Sequence, residues 1–236
     1  MKFGIILPQG ASDPKDVLKA AQMAEDRGLD SVWVVDNLEQ RPDREAPFLE
    51  AWVALSAVAA ATTSIQIGTM VLRVSLRNPH LLVSMAETLN RIAPKRLILG
   101  LGTGDSSSRE QHVAYGIPFL KRNVRYEMLG EVVSCLKEGL NEVSLWVAGD
   151  SPPIISLLSK ADGWVCWGPS SEFKRHAVAA ERGAQGRRVG LNWAGRWRDF
   201  DYPLLKEAGA DHIVVGTGAL NYASRIHELE RLRGGA

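Results

Sequence analysis

Cysteine is scarce in this 236-residue chain: Cys135 and Cys166 are the only two, and neither lies in a CxxC or Cys/His spacing suited to zinc. Disulfide scaffolding is thereby excluded, and both thiols are expected to be buried and reduced. Long apolar runs are missing too. No segment approaches the ~20 apolar residues of a membrane span, and MKFGIILPQG carries too short an apolar run for a secretory leader. The expectation is a cytoplasmic protein with no membrane partner. Nor is there an excess of one charge: 28 Lys and Arg stand against 27 Asp and Glu, which argues against a nucleic-acid surface as the main business of the chain. His80, His112, His176, His212 and His227 form neither HxxxH nor HExxH, and no GxSxG or P-loop pattern occurs. No metal site and no hydrolase chemistry is expected.

What is present is an alternation. With 45% hydrophobic and 23% charged residues, the chain has the composition of a globular protein able to bury ~70–75% of its unfolded surface. Short runs rich in Val, Ile and Leu (FGIIL, SVWVV, IQIGTMVL, RLILGL, LWVAG, GWVCWG, VGLNWAG, HIVVG) are separated by amphipathic or alanine-rich stretches. The first such stretch has Asp13 as a cap, Pro14 at a first helical position, Ala20, Ala21 and Ala24 within, and Gly28 to end it. Further helices are expected at about 47–63, 79–93, 122–139, 152–160, 171–183, 200–208 and 220–232. Eight β/α units in roughly 250 residues is the size of an α/β (β/α)8 TIM barrel. A doubly wound sheet would need only five or six strands. The strand runs continue to the C-terminus without a composition break, so one barrel domain over 1–236 is the expectation. The longest strand-free stretch, Gly102 to Val143, should carry an extra loop at the top of the barrel.

That stretch begins in LILGLGTGD. A dinucleotide fingerprint needs GxGxxG, whereas Gly100, Gly102 and Gly104 are spaced GxGxG and no acidic ribose ligand ends a strand about twenty residues later. The Rossmann reading fails. At the C-terminal end of a barrel strand, small residues let a flat ring lie against the backbone, and the first polar side chains beyond them face the pocket. Gly102, Thr103, Gly104 and Asp105 are either such a floor or simply a turn. Other strand ends look alike: SVWVVDNL puts Asp36 and Asn37 where side chains emerge. In WVAGDSPP, Gly149, Asp150 and Ser151 precede a helix opened by Pro152, so unpaired amides would face outward and suit a phosphate. A plain N-cap by Asp150 or Ser151 is the alternative. Asp150 beside a phosphate is unfavourable unless its carboxylate turns away.

Taken together, FGIILPQG, AEDRGLDSVWVVDNL, IQIGTMVLRVSLRNP, AETLNRIAPKRLILGLGTGD, the YGIPFLKR and RYE segment, and WVAGDSPP with ADGW resemble the luciferase-like monooxygenase family, in its branch of deazaflavin-dependent oxidoreductases. They occur in family order over most of the chain. The resemblance implies a flavin or 5-deazaflavin at the C-terminal rim, its ring near Asp36, Met70, Val71 and Thr103 and its phosphate near Gly149 to Pro152. It also implies a bulge on the third strand with a non-prolyl cis peptide, here at Met70–Val71. Asp105 matches a position that can hold an acidic catalytic residue, or else it caps the SSSREQ segment. Asn37 stands where the family often has His; it cannot act as a base, but it can orient a carbonyl or hydroxyl. Between the helix ending near Gly139 and LWVAG only a few residues intervene, where relatives commonly carry an insertion over the substrate. The barrel is trimmed and its pocket should be more open.

The resemblance therefore implies hydride transfer between the deazaflavin coenzyme F420 and a small organic substrate. The alternatives are an FMN monooxygenase fed by a partner flavin reductase, or a flavin-binding protein without turnover. Exposed apolar helix faces favour a homodimer. Arg182, Arg187, Arg188, Arg196 and Arg198, interleaved with Trp193 and Trp197, read as solvated ends of a barrel strand, with a deazaflavin's oligoglutamate tail as the alternative partner, and His112 in the extra loop reads as a surface imidazole or else as a substrate contact. Arg73 and Arg77 on the third strand's rim either meet a ligand or pair with carboxylates of neighbouring units.

Overall fold

All eight apolar runs form strands, and each is followed by helix, because β-branched and aromatic runs alternate with alanine-rich amphipathic ones. The computed structural model describes residues 1–11, 13–39, 48–140, 142–218 and 221–234. The order is β1 (Lys2–Ile6), α1 (Asp16–Asp26), β2 (Ser31–Val34), α2 (Ala51–Ala61), β3 (Gln66–Arg73), α3 (Pro79–Ile92), β4 (Leu97–Gly102), α4 (Arg109–Ala114), α5 (Arg122–Gly139) and β5 (Ser144–Ala148). It continues through α6 (Pro152–Ser156), β6 (Gly163–Trp167), α7 (Ser170–Gly183), β7 (Gly190–Arg196), α8 (Tyr202–Glu207), β8 (His212–Gly216) and α9 (Tyr222–Gly234). The strands pair in parallel in sequence order and β8 closes on β1, so the sheet is a barrel and not an open, doubly wound one. The starts expected at about 47 and 220 lie outside the described residues; α2 and α9 are seen from Ala51 and Tyr222.

Local signals explain the ends. Gly28, at φ +71°, closes α1 in the left-handed region that glycine adopts without cost. Asp13 accepts a hydrogen bond from the Lys15 amide at 2.9 Å, capping a turn ahead of α1 itself. Asn78 caps α3 with Pro79 at its first position. The helix expected over 152–160 is shorter: α6 has five residues and passes into a 3-10 turn over Leu157–Ser159.

The core has two layers. One lies between strands and helices. The other fills the barrel with one side chain from each strand, Ile6, Trp33, Met70, Ile98, Trp146, Val165, Ala194 and Val214, topped by Val35, Val71 and Ala148. Indoles this large fit because glycine faces them: a Cβ on Gly68 would come within 2.4 Å of Trp33. Beneath them lies a small polar layer. The Trp33 indole donates to Ser31 Oγ at 2.6 Å, and Ser31 Oγ lies 2.7 Å from His212 Nε2. On β3 the pairing with β4 shifts register between Thr69 and Leu72, and the Met70–Val71 peptide is cis, at the bond that the resemblance implied.

Candidate active site

Parallel closure brings all eight strand ends to one rim, so residues far apart in the chain become neighbours there. Asp36, just beyond β2, anchors one side. Its carboxylate accepts the Arg73 amide at 2.9 Å and two bonds from Arg77 at 2.7 and 3.0 Å, while Arg77 also reaches Glu50 at 2.5 Å. The Asp36 side chain is 1% exposed. Burial would lower the Arg77 pKa, but the bonds and charges of Asp36 and Glu50 outweigh it and raise it. Asp36 thus ties the ends of β2 and β3 to the start of α2.

Two cavities open on this rim. The glycine-edged cavity, about 560 Å³, is bordered by Val71, Gly102 to Ser106, Ala148 to Ser151, the end of β6, and side chains of α5 and α7. Gly102 is required there, since a Cβ on it would lie 2.5 Å from Val71 Cγ2. Gly149 takes φ +125°, and its carbonyl accepts the Trp164 indole at 2.8 Å. Ser151 Oγ is buried and has no hydrogen-bond partner among the described residues. Arg125 donates to the carbonyls of Thr103 and Gly104 at 2.6 and 2.5 Å, fixing that loop. Asp150 turns toward α7, with Oδ2 3.4 Å from His176 Nδ1, and Glu172 flanks the same imidazole at 3.9 Å. Burial and the carboxylates of Asp150 and Glu172 push the Cys166 thiol up to about 12, so it stays protonated.

Asp105 is the cap of a 3-10 turn. Its Oδ1 accepts from the hydroxyls of Ser107 and Ser108 at 2.5 and 3.2 Å and from the Ser108 amide at 3.0 Å. Burial alone would raise its pKa, but these serine donors outweigh it and leave the carboxyl below its usual range. No hydrogen bond engages Oδ2 among the described residues. The same turn holds His112, which is 1% exposed and no surface imidazole. Its Nδ1 lies 2.9 Å from the Ser108 carbonyl, so the proton sits there, and Nε2 accepts from Ser75 Oγ at 3.0 Å. Burial lowers its pKa, and the ring serves as a strut between the β3 and β4 loops.

The arginine-edged cavity, about 600 Å³, lies across the mouth against the ends of β1, β2, β7 and β8. Among the described residues, Trp167, 53% exposed, borders both cavities.

Of the residues singled out in the sequence, Val71, Gly102, Thr103, Gly104, Asp105, Gly149, Asp150 and Ser151 converge on the glycine-edged cavity, and Asn37 borders the other. Asp36, Met70 and Pro152 border neither: Asp36 is spent on Arg77 and the Arg73 amide, and Met70 is 4% exposed within the barrel. Sequence reasoning missed Arg122, Arg125 and Tyr126 on α5, Glu172 and His176 on α7, and Trp167. The spacing of Glu172 and His176, one helical turn apart after a strand, was the available signal. Arg196 and Arg198 are solvated strand-end residues as expected, yet their end of β7 is the one that faces the mouth.

The luciferase-like monooxygenase family profile matches residues 1–153. An F420-dependent glucose-6-phosphate dehydrogenase of Kineococcus radiotolerans is 32% identical over 211 residues, which cover 78% of this chain and 60% of that protein. The chain thus spans well under the full length of that relative. An F420-dependent secondary alcohol dehydrogenase, solved with an F420-acetone adduct, superposes with a TM-score of 0.83 at 18% identity, over 98% of this chain and 97% of the other. The monooxygenase RslO1 of Streptomyces bottropensis gives 0.77 at 14% identity, over 100% of each chain. At such identities these two likenesses are ones of fold.

Proposed function

Since the chain belongs to the luciferase-like monooxygenase family, we propose that it is an oxidoreductase that holds coenzyme F420 in the glycine-edged cavity and exchanges hydride with a small organic substrate. The observation that carries this reading is the convergence of Val71, Gly102 to Asp105 and Gly149 to Ser151 on one cavity of about 560 Å³. The residues there suit a flat ring with an anionic tail. The missing Cβ of Gly102 lets Val71 seat against the end of β4 instead of projecting into the cavity, and the buried Ser151 hydroxyl, unpartnered among the described residues, is a donor in want of an acceptor. Arg122 and Arg125 line the same cavity and offset part of the charge of Asp105, Asp150 and Glu172. The name of the Kineococcus relative supports F420 over FMN.

When bound, the coenzyme supplies a ring carbon that gives or takes hydride. The protein's own work is positioning. Val71 and Gly102 would form the ring's floor, while the Ser151 hydroxyl would donate to the phosphate; the Gly149 amide is already bonded to the Val165 carbonyl. With only five residues, α6 adds little dipole to that end, so side-chain donors must do more of the holding. Asp36 acts one step removed, through the Arg73 amide and Arg77, by fixing the strand that presents Val71. Asp105 Oδ2 takes the substrate proton, and Asn37 orients the substrate from the opposite cavity by hydrogen bonding.

Absorbance and fluorescence titrations with F420 and with FMN test the reading. F420 is expected to bind at micromolar concentrations and FMN at least tenfold more weakly. Tight FMN binding without F420 binding would overturn it in favour of a monooxygenase fed by a flavin reductase. Binding of either without hydride exchange to any acceptor would leave a carrier.

A further inference from the structure

Arg196, Arg198 and Arg225 border the arginine-edged cavity and, among the described residues, no carboxylate does. Their charges are only partly compensated nearby. Arg196, at the end of β7, has no ion pair among the described residues; Arg198 has Asp199 at 3.9 Å, and Arg225 has Glu228 at 2.8 Å. Arg225 also lies 4.1 Å above the Trp197 ring, which holds its guanidinium plane in place, and its Nε is buried without a hydrogen-bond partner among the described residues.

The rest of the wall is apolar or already engaged. Leu7, Val35, Phe48, Trp167 and Trp197 supply hydrocarbon and ring surface. The Gln9 amide donates to the carbonyls of Val35 and Leu49 at 2.9 Å each and accepts the Val35 amide at 2.6 Å. The Thr217 hydroxyl donates to the Ile6 carbonyl at 2.9 Å. Asn37 and Asn221 remain as neutral polar side chains with no side-chain hydrogen bond among the described residues, too few for a polyhydroxylated body whose every buried hydroxyl needs a partner.

We propose that this cavity binds an organic anion with an apolar, preferably aromatic, body: the acid group lies against Arg196 and Arg225, and the body lies on Trp197 and Trp167. The acid is a carboxylate or a phosphate, both of which a guanidinium fork accepts. This names the substrate class of the oxidoreductase proposed above. The substrate role rests on that reading, whereas the preference for aryl anions does not. The proposal also separates the chain from its Kineococcus relative, whose name specifies a sugar phosphate.

Calorimetric titration of the full chain with 2-naphthoate, 2-naphthyl phosphate, 2-naphthalenemethanol and glucose 6-phosphate tests it, with and without saturating F420. Both aryl anions should bind at least about tenfold more tightly than the neutral alcohol, and 2-naphthyl phosphate at least about tenfold more tightly than glucose 6-phosphate. Arg196→Gln, at an exposed strand end, should weaken the aryl anions at least about fivefold and leave the alcohol unchanged. The tighter of the two acids identifies the group the arginines read, and either result supports the proposal. Equal affinity for alcohol and anion, indifference to Arg196→Gln, or glucose 6-phosphate as the tightest ligand would overturn it. Should F420 fail to bind while the aryl anions follow this pattern, the coenzyme reading falls and the anion site stands. The converse pattern has the opposite meaning.

Discussion

Acid should destabilise this barrel through its buried imidazoles, most of all the one at its base. His212 is 2% exposed, beneath Trp33 and Trp146, whose rings meet it edge-on at 5.8 and 5.4 Å. The Trp33 indole can only donate, so it occupies one lone pair of Ser31 Oγ. With no other partner among the described residues, the Ser31 hydroxyl points its own proton at His212 Nε2, which must be bare. Burial first, then the charges of Lys2 and the N-terminal ammonium, push the pKa from 6.5 down to about 3. The folded state therefore refuses a proton that the unfolded chain accepts below pH 6.5. Stability from His212 is complete above that value and is lost as pH falls toward about 3, with a slope of about 1.4 kcal/mol per pH unit. Between pH 7.5 and 5.0 the loss works out at about 2 kcal/mol, a sizeable share of a typical domain's 5–15 kcal/mol. Urea unfolding at both pH values, for the natural chain and for His212→Gln, isolates it. The variant keeps an acceptor for Ser31 and should lose about 2 kcal/mol less than the natural chain over that interval. Parallel pH profiles in the two proteins would refute the assignment, whatever their absolute stabilities.

Three further outcomes follow from the rim. Gly102→Ala should weaken F420 binding by about tenfold, by pushing Val71 into the cavity, while the melting temperature falls by only a few degrees; unchanged affinity in a fluorescence titration would remove Val71 from the floor. Asp36→Ala should cost about 3 kcal/mol in denaturant unfolding, because Arg77, 12% exposed, keeps only Glu50 as a charged partner among the described residues; a cost under about 1 kcal/mol would show that the clamp is idle. Asp105→Asn should lower kcat by about a hundredfold with F420 affinity retained. Because the carboxyl sits below its usual range, Asp105 stays ionised at neutral pH and above, and it should produce no step in the profile of kcat/KM between pH 5 and 8; an unchanged kcat would reduce it to a cap.

The barrel was legible because its periodicities are local. Runs such as GTMVL and HIVVG carry strand chemistry in themselves, and Gly28 or the Asn78-Pro79 pair stops and starts helices without tertiary help. The Asp105 cap was readable for the same reason, since its partners Ser107 and Ser108 lie two and three residues on. The short α4 was missed: six residues in a polar loop carry too little pattern. What depended on register between distant strands was not legible. That Arg77 pairs with a carboxylate of a neighbouring unit was one of two readings open in the sequence; that the carboxylate is Asp36 follows from β2 and β3 pairing with Val34 opposite Thr69, which nothing within either segment announces. His112 gives no local sign of burial: the Ser108 carbonyl lies one turn before it, but Ser75, its other partner, comes from the loop after β3. Likewise Arg196 and Arg225 reach one cavity because β7 pairs with β8, Arg196 opposite Gly216, and α9 follows β8.

The central claim is that glycine-edged strand ends form one cradle for a ring and its phosphate. A crystal structure of the chain with F420 bound tests it most directly. The account predicts the deazaflavin ring against Val71 and Gly102 and the phosphate within hydrogen-bonding distance of Ser151 Oγ. A phosphate seated on Arg196 and Arg225, with the Ser151 hydroxyl untouched, would contradict it.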